Sequence, residues 1–179
     1  MKDALTIHRA LLGWETPHEI VRLPLAMTLA DELPRALGLP PERCLVTRVY
    51  SCEGAHAGRP FLAGAIVPAG RWPSAEAVRA GVGARAVRSA HADVVNAVTE
   101  YAAGLVCPLL LPESMPLLID RGLVDGARDH GVVYTATGEA STALGIRAGA
   151  LYSLCRPEPA DLLAALGAAP APGRDHVTT

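Results

Sequence analysis

A single lysine, Lys2, stands among fifteen arginines, and that scarcity excludes two chemistries. A Walker-type phosphate loop needs a lysine directly after its glycines, and a Schiff-base enzyme needs a buried amine. Lys2 falls in a terminus expected to be mobile, so the interior is expected to work without an ammonium group. Aromatic residues are scarce too, at 4% of the chain. The core must then be aliphatic, built from Leu, Val, Ile and Ala, and an aromatic platform for stacking successive single-stranded bases is not expected. The cysteines Cys44, Cys52, Cys107 and Cys155 form no CxxC pair and have no histidine at finger spacing, so they read as reduced and mostly buried. No HxH or HExxH occurs, and His91-Ala92-Asp93 has the wrong spacing for two ligands on one helix face; neither a metal nor an organic cofactor is expected. The most apolar stretch, Leu105 to Leu118, is broken by Pro108, Pro112 and Pro116. No signal peptide or membrane span is expected, and the location expected is cytoplasmic.

What is present describes one soluble domain. The 179 residues are 50% apolar and 19% charged with a net charge of -2, enough chain to bury a sizeable core. The domain is expected over residues 1–167, with residues 168–179 a disordered tail of alanine, proline and polar residues. The thirty-two alanines and the arginine bias read as a GC-rich genome and not as function.

Apolar spacing at Leu5, Ile7, Ala10 and Leu11 predicts a first helix. Ile20 to Leu23 reads as a short strand. Thr28 with Asp31 resembles a capping box opening a helix that stops at Gly38. Cys44 to Tyr50 and Phe61 to Val67 read as a hairpin across the Gly54–Pro60 turn. Ser74 is expected to cap a helix through Val78, Arg85 to Arg88 to form a short strand, and Ser89 to cap a helix from His91 towards Thr99. After a loop from Ala103 to Pro116 come strands at Leu117–Asp120, Gly131–Thr135 and Leu144–Ile146, then helices at Ala148–Leu154 and Ala160–Leu166. Without a strict βαβ repeat, the pattern favours an α+β fold with a mixed sheet.

From about Ala4 to Leu154 this order of pieces resembles the YbaK/EbsC proteins, which are similar to the editing domain of bacterial prolyl-tRNA synthetases. The strongest motif is GxxxP, present as Gly104-Leu105-Val106-Cys107-Pro108. It follows Thr99-Glu100-Tyr101, where the family usually has glycine in the middle. Leu118-Ile119-Asp120 matches the family's apolar strand ending in aspartate, Leu37 to Glu42 its helix end, and Val67-Pro68 a strand end. GxxxP alone is a weak pattern; the ordered set is specific. The resemblance implies a partly barrel-like mixed sheet flanked by helices. The implied activity is hydrolysis of the ester joining a wrong amino acid to the tRNA 3' end, with water positioned and the oxyanion held by backbone amides. Gly104 and Pro108 would frame that loop, the glycine by permitting positive φ and close approach, the proline by stiffening the chain.

One departure from the family weakens the mechanism. Its lysine-threonine pair becomes Val46-Thr47, and valine cannot bind phosphate. Arg48 shares a strand face with Val46 and could supply a forked cation instead; the other reading is a solvated arginine at a strand edge. Gly138 and Glu139 fall where the family's second polar group tends to lie, as an amide donor and a residue orienting water, or else as ordinary turn caps. Val106 and Cys107 are expected to line the pocket. A Cys107 thiol nucleophile with His56 or His91 as base is the sharper alternative, and His56 could itself reach a ligand.

Arg71, Arg79, Arg85 and Arg88 share a short stretch whose only acid is Glu76, either a tRNA contact or a solvated helix face. The implied partners are the acceptor end of aminoacyl-tRNA and an aminoacyl-tRNA synthetase. Two other functions fit the same residues: a module that binds aminoacyl-tRNA or an aminoacyl nucleotide without hydrolysis, and a hydrolase of another activated ester.

Overall fold

The chain, described here by a computed structural model over residues 1–54, 58–127 and 131–163, alternates short helices and strands. It runs α1 (Ala4–Gly13), β1 (His18–Arg22), a 3-10 turn (Ala30–Glu32) leading into α2 (Leu33–Leu37), and a second 3-10 turn (Pro41–Arg43). The hairpin β2 (Cys44–Gly54) and β3 (Phe61–Pro68) follows, then α3 (Ala75–Val82), β4 (Ala84–Ser89) and α4 (Ala92–Thr99). After a long loop come β5 (Leu117–Asp120), α5 (Arg121–Asp125), β6 (Val132–Ala136), β7 (Thr142–Arg147), α6 (Ala148–Cys155) and β8 (Glu158–Ala160).

The strands form one mixed sheet in the order β1-β7-β6-β2-β3-β5-β8, with β4 pairing β2 off that path. The sheet is open, with β1 and β8 at its ends, and helices flank it. β2 organises it because it is buried on both faces. Leu45 packs into one apolar cluster with Ile7, Leu11, Ile66 and Ile119. The alternate residues Cys44 and Val46 pack into a second with Leu23, Met27 and Leu33, and Tyr50 and Cys52, two and four residues beyond Arg48, into a third with Val67 and Leu118. A side-chain period of two therefore puts Arg48 on one strand face between two apolar clusters.

Several local expectations shift by a residue or two. The acid that caps the Thr28 turn is Glu32, whose carboxylate accepts from the Thr28 and Leu29 amides at 2.8 and 3.0 Å; Asp31 is freed for another partner. Ser74 does cap α3, accepting from the Ala77 amide at 3.1 Å. Ser89, however, ends β4, and α4 starts after His91 with no side-chain cap. The expected helix at Ala160–Leu166 is replaced in its first residue by β8, which pairs β5 at the end of the sheet, an edge position that tolerates Pro159. Its remainder beyond Leu163 lies outside the described residues, as do the tail at 168–179, His56 and His130.

Lys2 is the largest local correction. The expected mobile terminus is instead tied down: its backbone amide donates to Glu100 O at 2.6 Å. Its ammonium donates to Thr99 O at 2.9 Å and Leu110 O at 2.7 Å. These carbonyls lie at the end of α4 and in the loop after it, so Lys2 ties the two together. Tyr101 closes the same loop from inside, fully buried, its hydroxyl donating to Leu109 O at 2.8 Å. Between them Glu100 holds φ at +61°, the left-handed conformation that favours glycine. Two stability changes of opposite sign are expected in urea unfolding. Lys2→Ala should lower stability by about 1–3 kcal/mol through the orphaned carbonyls, and Glu100→Gly should raise it by roughly 0.5–1 kcal/mol, the relieved left-handed strain being partly offset by loss of the exposed Lys2–Glu100 pair at 3.4 Å.

Candidate functional site

β2 is longer than its neighbours on one side. Away from β3 it pairs β6 only at Cys44 and Leu45 and β4 only from Tyr50 onward. Between those ladders a notch is left along Val46 to Val49, entered on one side by Ala90, whose amide donates to Val49 O at 3.1 Å. A cavity of about 260 Å³ opens at this notch, lined by Thr47, Arg48, Ala90, Val95, Gly104 and Val106, with Leu29 and Trp72 at its exposed rim. That volume is near the small end of the ~300–1,000 Å³ usual for small-molecule sites.

Arg48 is neither free nor a solvated edge residue. Its side chain is 8% exposed. Two guanidinium nitrogens donate to the two carboxylate oxygens of Asp31 at 2.7 and 2.6 Å, a forked pair. Nε and Nη2 also donate to Arg71 O at 3.3 and 2.8 Å, and the Trp72 ring centroid lies 3.5 Å from Cζ. Burial pushes the Asp31 carboxyl up, but the Arg48 hydrogen bond, the Gly70 amide and the Arg48 charge outweigh it and hold it below its ordinary value. Asp31 is thus the functional neighbour that sequence reasoning assigned to a helix cap instead.

The GxxxP loop reaches the cavity through its first and third residues. Gly104 has φ +84°, and a Cβ there would lie 2.8 Å from Leu29 Cδ2 and 3.0 Å from Thr28 O. Its carbonyl accepts from the Ala30 amide at 2.8 Å, which pins the loop to the turn that carries Asp31. The neighbouring amides are used: Ala103 N–H by Asn96 Oδ1 at 2.7 Å and Leu105 N–H by Ala102 O at 2.9 Å. Those of Gly104 and Val106 meet no acceptor among the described residues. Thr47 adds a hydroxyl that is buried and without a hydrogen-bond partner among the described residues. The lining contains no carboxylate, histidine or thiol, so any proton transfer here falls to hydroxyls, amides, water or the substrate itself.

The other expected residues lie elsewhere. Val46 points into the apolar cluster of Leu23, Met27 and Leu33. Cys107 is completely buried in the core, and burial pushes its thiol up to about 12; it neither lines the cavity nor presents a thiolate. Pro108 borders a separate surface cleft with Leu110 and Arg156. Gly138, at φ +91°, lies so close to Lys2 O and Tyr101 that a side chain would collide with both. Glu139 accepts from the Ala4 amide at 3.0 Å, capping α1, and from Thr142 Oγ1 at 3.2 Å. Its cleft is shared with His8 and His18 and not with Gly104.

Of the basic stretch, Arg79 pairs Glu76 at 2.6 Å and Arg85 pairs Glu53 at 3.0 Å, while Arg71 and Arg88 have no acidic partner among the described residues. No group of three or more His, Cys, Asp or Glu is placed to hold a metal among the described residues. No helix there is long and apolar enough to cross a membrane.

Residues 24–152 match the aminoacyl-tRNA editing domain family. No curated protein gives a significant match. Among solved structures, a hypothetical protein superposes with a TM-score of 0.73 at 20% identity, covering 87% of this chain and 97% of its own. A candidate trans-editing enzyme for prolyl-tRNA synthetase superposes with a TM-score of 0.67 at 21% identity, covering 82% and 87%. A scaffold used for computational epitope grafting gives 0.72 at 22%, covering 89% and 96%. At these identities the likeness establishes a shared fold.

Asp31→Asn strands the Arg48 charge and is expected to cost about 3 kcal/mol, near the low end for a broken buried pair because Asp31 keeps some solvent contact. A loss under about 1 kcal/mol in urea unfolding at neutral pH would mean the pair behaves as a screened surface bridge. Because the folded Asp31 pKa lies below the ordinary 3.8, its stabilisation is complete above that value and drains away as pH falls through the folded pKa. The Asn variant should lose that component of acid sensitivity. Cys44, Cys52 and Cys107 are buried, and a thiol reagent should modify them only after unfolding.

Proposed function

The chain belongs to the aminoacyl-tRNA editing family, and from that premise we propose that it is a trans-acting deacylase. It would hydrolyse the ester of mischarged tRNA at the notch beside β2. The observation that carries the reading is the pair of unspent amides at Gly104 and Val106, on a loop pinned by Ala30 and facing a small cavity.

An aminoacyl ester is already activated, so its hydrolysis needs an oxyanion to be held and a water to be placed more than it needs a strong nucleophile. The ester carbonyl lies against the loop with its oxygen towards the Gly104 and Val106 amides. As water attacks, negative charge collects on that oxygen and the two amides, already fixed, stabilise it without reorganising. The Thr47 hydroxyl, lacking an internal partner, is placed to hold the attacking water or a ribose hydroxyl. The vicinal hydroxyl of the terminal ribose relays the proton to the leaving oxygen. Val95, Val106 and Ala90 bound the space left for the amino-acid side chain and favour small residues. In this scheme Pro108 stiffens the loop from behind, Cys107 packs it, and Gly138 and Glu139 act through the Lys2 and α1 contacts that brace it. The editing domain spans residues 1–167, acts without a cofactor, and meets its partner at the tRNA acceptor end, alone or beside a synthetase, in the cytoplasm.

A second reading, a binding module without turnover, draws on one observation. Val46 lies in an apolar cluster and the Arg48 guanidinium is committed to Asp31 and Arg71, so this part of β2 offers no free cation to the phosphate.

A panel of mischarged tRNAs separates the two. The deacylase reading expects rapid release of a small amino acid, and a drop of about 100-fold or more in Gly104→Ala as the oxyanion donor is displaced. Saturable binding with no release by the wild type would support the module instead. Circular dichroism of the variant confirms that the loss is not one of fold.

A further inference from the structure

Trp72 sits at the rim of the cavity, 63% exposed, in a protein whose other fully or partly buried aromatics belong to the core or the sheet. It is not a loose surface residue. The Arg48 guanidinium lies 3.5 Å beneath the ring centroid. The same guanidinium is fixed by both oxygens of Asp31 and by the carbonyl of Arg71, the residue immediately before Trp72. One face of the indole is thus covered by a planar group that is itself locked, and the solvent-exposed area belongs mainly to the opposite face and the ring edge. Leaving so large an apolar surface in water while fixing its orientation is the arrangement of a preorganised contact, since the ordering entropy is spent before any ligand arrives.

We infer that the outer face of Trp72 is the stacking surface for the base of the substrate's 3'-terminal nucleotide. The inference rests on the deacylase reading for its substrate and on the geometry above for its placement. The ribose that carries the ester is attached directly to that base. An ester carbonyl against Gly104 therefore leaves the base at the mouth of the same cavity, where Trp72 and Leu29 are the exposed apolar groups. Aliphatic lining deeper in suits an aminoacyl group; a flat, wide, electron-rich ring suits a base. The cation beneath adds to the stack, with the indole between the guanidinium and the base. A single stacked base needs one aromatic side chain, so the scarcity of aromatics in the sequence does not exclude it.

The test uses a Trp14→Phe background, in which Trp72 is the sole indole. Its fluorescence is titrated with the trinucleotide CCA and with the same trinucleotide lacking its 3' base. Saturable quenching by CCA and none by the abasic form is expected; equal quenching by both, or none by either, overturns the inference. In deacylation, Trp72→Ala should raise KM about tenfold or more, the scale of one lost base stack, while kcat changes by less than about twofold and Trp72→Phe recovers most of the affinity. An unchanged KM in Trp72→Ala overturns it too. Base-dependent quenching without ester hydrolysis sinks the deacylase reading and leaves the stacking surface standing. Hydrolysis without base-dependent quenching does the reverse.

Discussion

The forked pair between Arg48 and Asp31 is the contact on which the rest of the site hangs. A charged residue on a strand face between two apolar clusters would cost several kcal/mol if left alone, and its four side-chain hydrogen bonds offset that cost. The consequence is geometric. Asp31 belongs to the turn whose neighbour Ala30 holds the Gly104 carbonyl, and Asp31 Oδ1 also accepts from the Gly70 amide at 2.7 Å. One ion pair therefore fixes three segments relative to β2: the turn at Thr28–Glu32, the turn after β3 that presents Trp72, and, through Ala30, the loop that opens at Gly104. Each contributes a wall or rim to the same small cavity.

The site that results is chemically quiet. Its groups are amides, hydroxyls and small aliphatic side chains, and its one charge is neutralised in place. Such a site lowers barriers for substrates that bring their own reactivity and does little to inert ones, a form of selectivity that depends on the substrate being an activated ester. The rigidity that this demands is visible in the backbone. Glu100 and Gly104 both hold positive φ within five residues, braced by Lys2, Tyr101 and the Ala30 contact.

Much of this architecture could be read from the residues in order. The hairpin, the capped helix after Ser74, the strand ending at Asp120 and the mixed sheet follow from period-two apolar runs and turn residues, which act locally. The family order also placed Gly104, Val106, Thr47 and Arg48 near one another, and these four do line one cavity. What escaped was set by long-range contacts. Asp31, three residues after Thr28, reads as the cap in sequence, and only the position of β2 gives it to Arg48 and leaves the cap to Glu32. Gly138 and Glu139 sit one turn past a strand in either account, but the α1 terminus occupies that turn. Trp72 carried a signal that went unused: in a chain with two tryptophans, one beside a strand end and a proline is a residue worth placing. The mixed sheet flanked by helices is the form expected, and it stays open because β1 and β8 end the order without meeting.

Lys2 began as a residue to set aside and is instead bonded to the loop beside the candidate site. Because it is the chain's sole lysine, its ε-amino group is also the only one in the sequence. Reductive methylation with isotope-labelled formaldehyde would therefore add one ε-amine resonance, at the loop after α4, beside that of the α-amine, and the lower pKa ordinary for an α-amine tells the two apart on titration. The scarcity that narrows the chemistry of the molecule also makes it easy to watch by magnetic resonance, with a single side-chain amine already built into the brace of its candidate active loop.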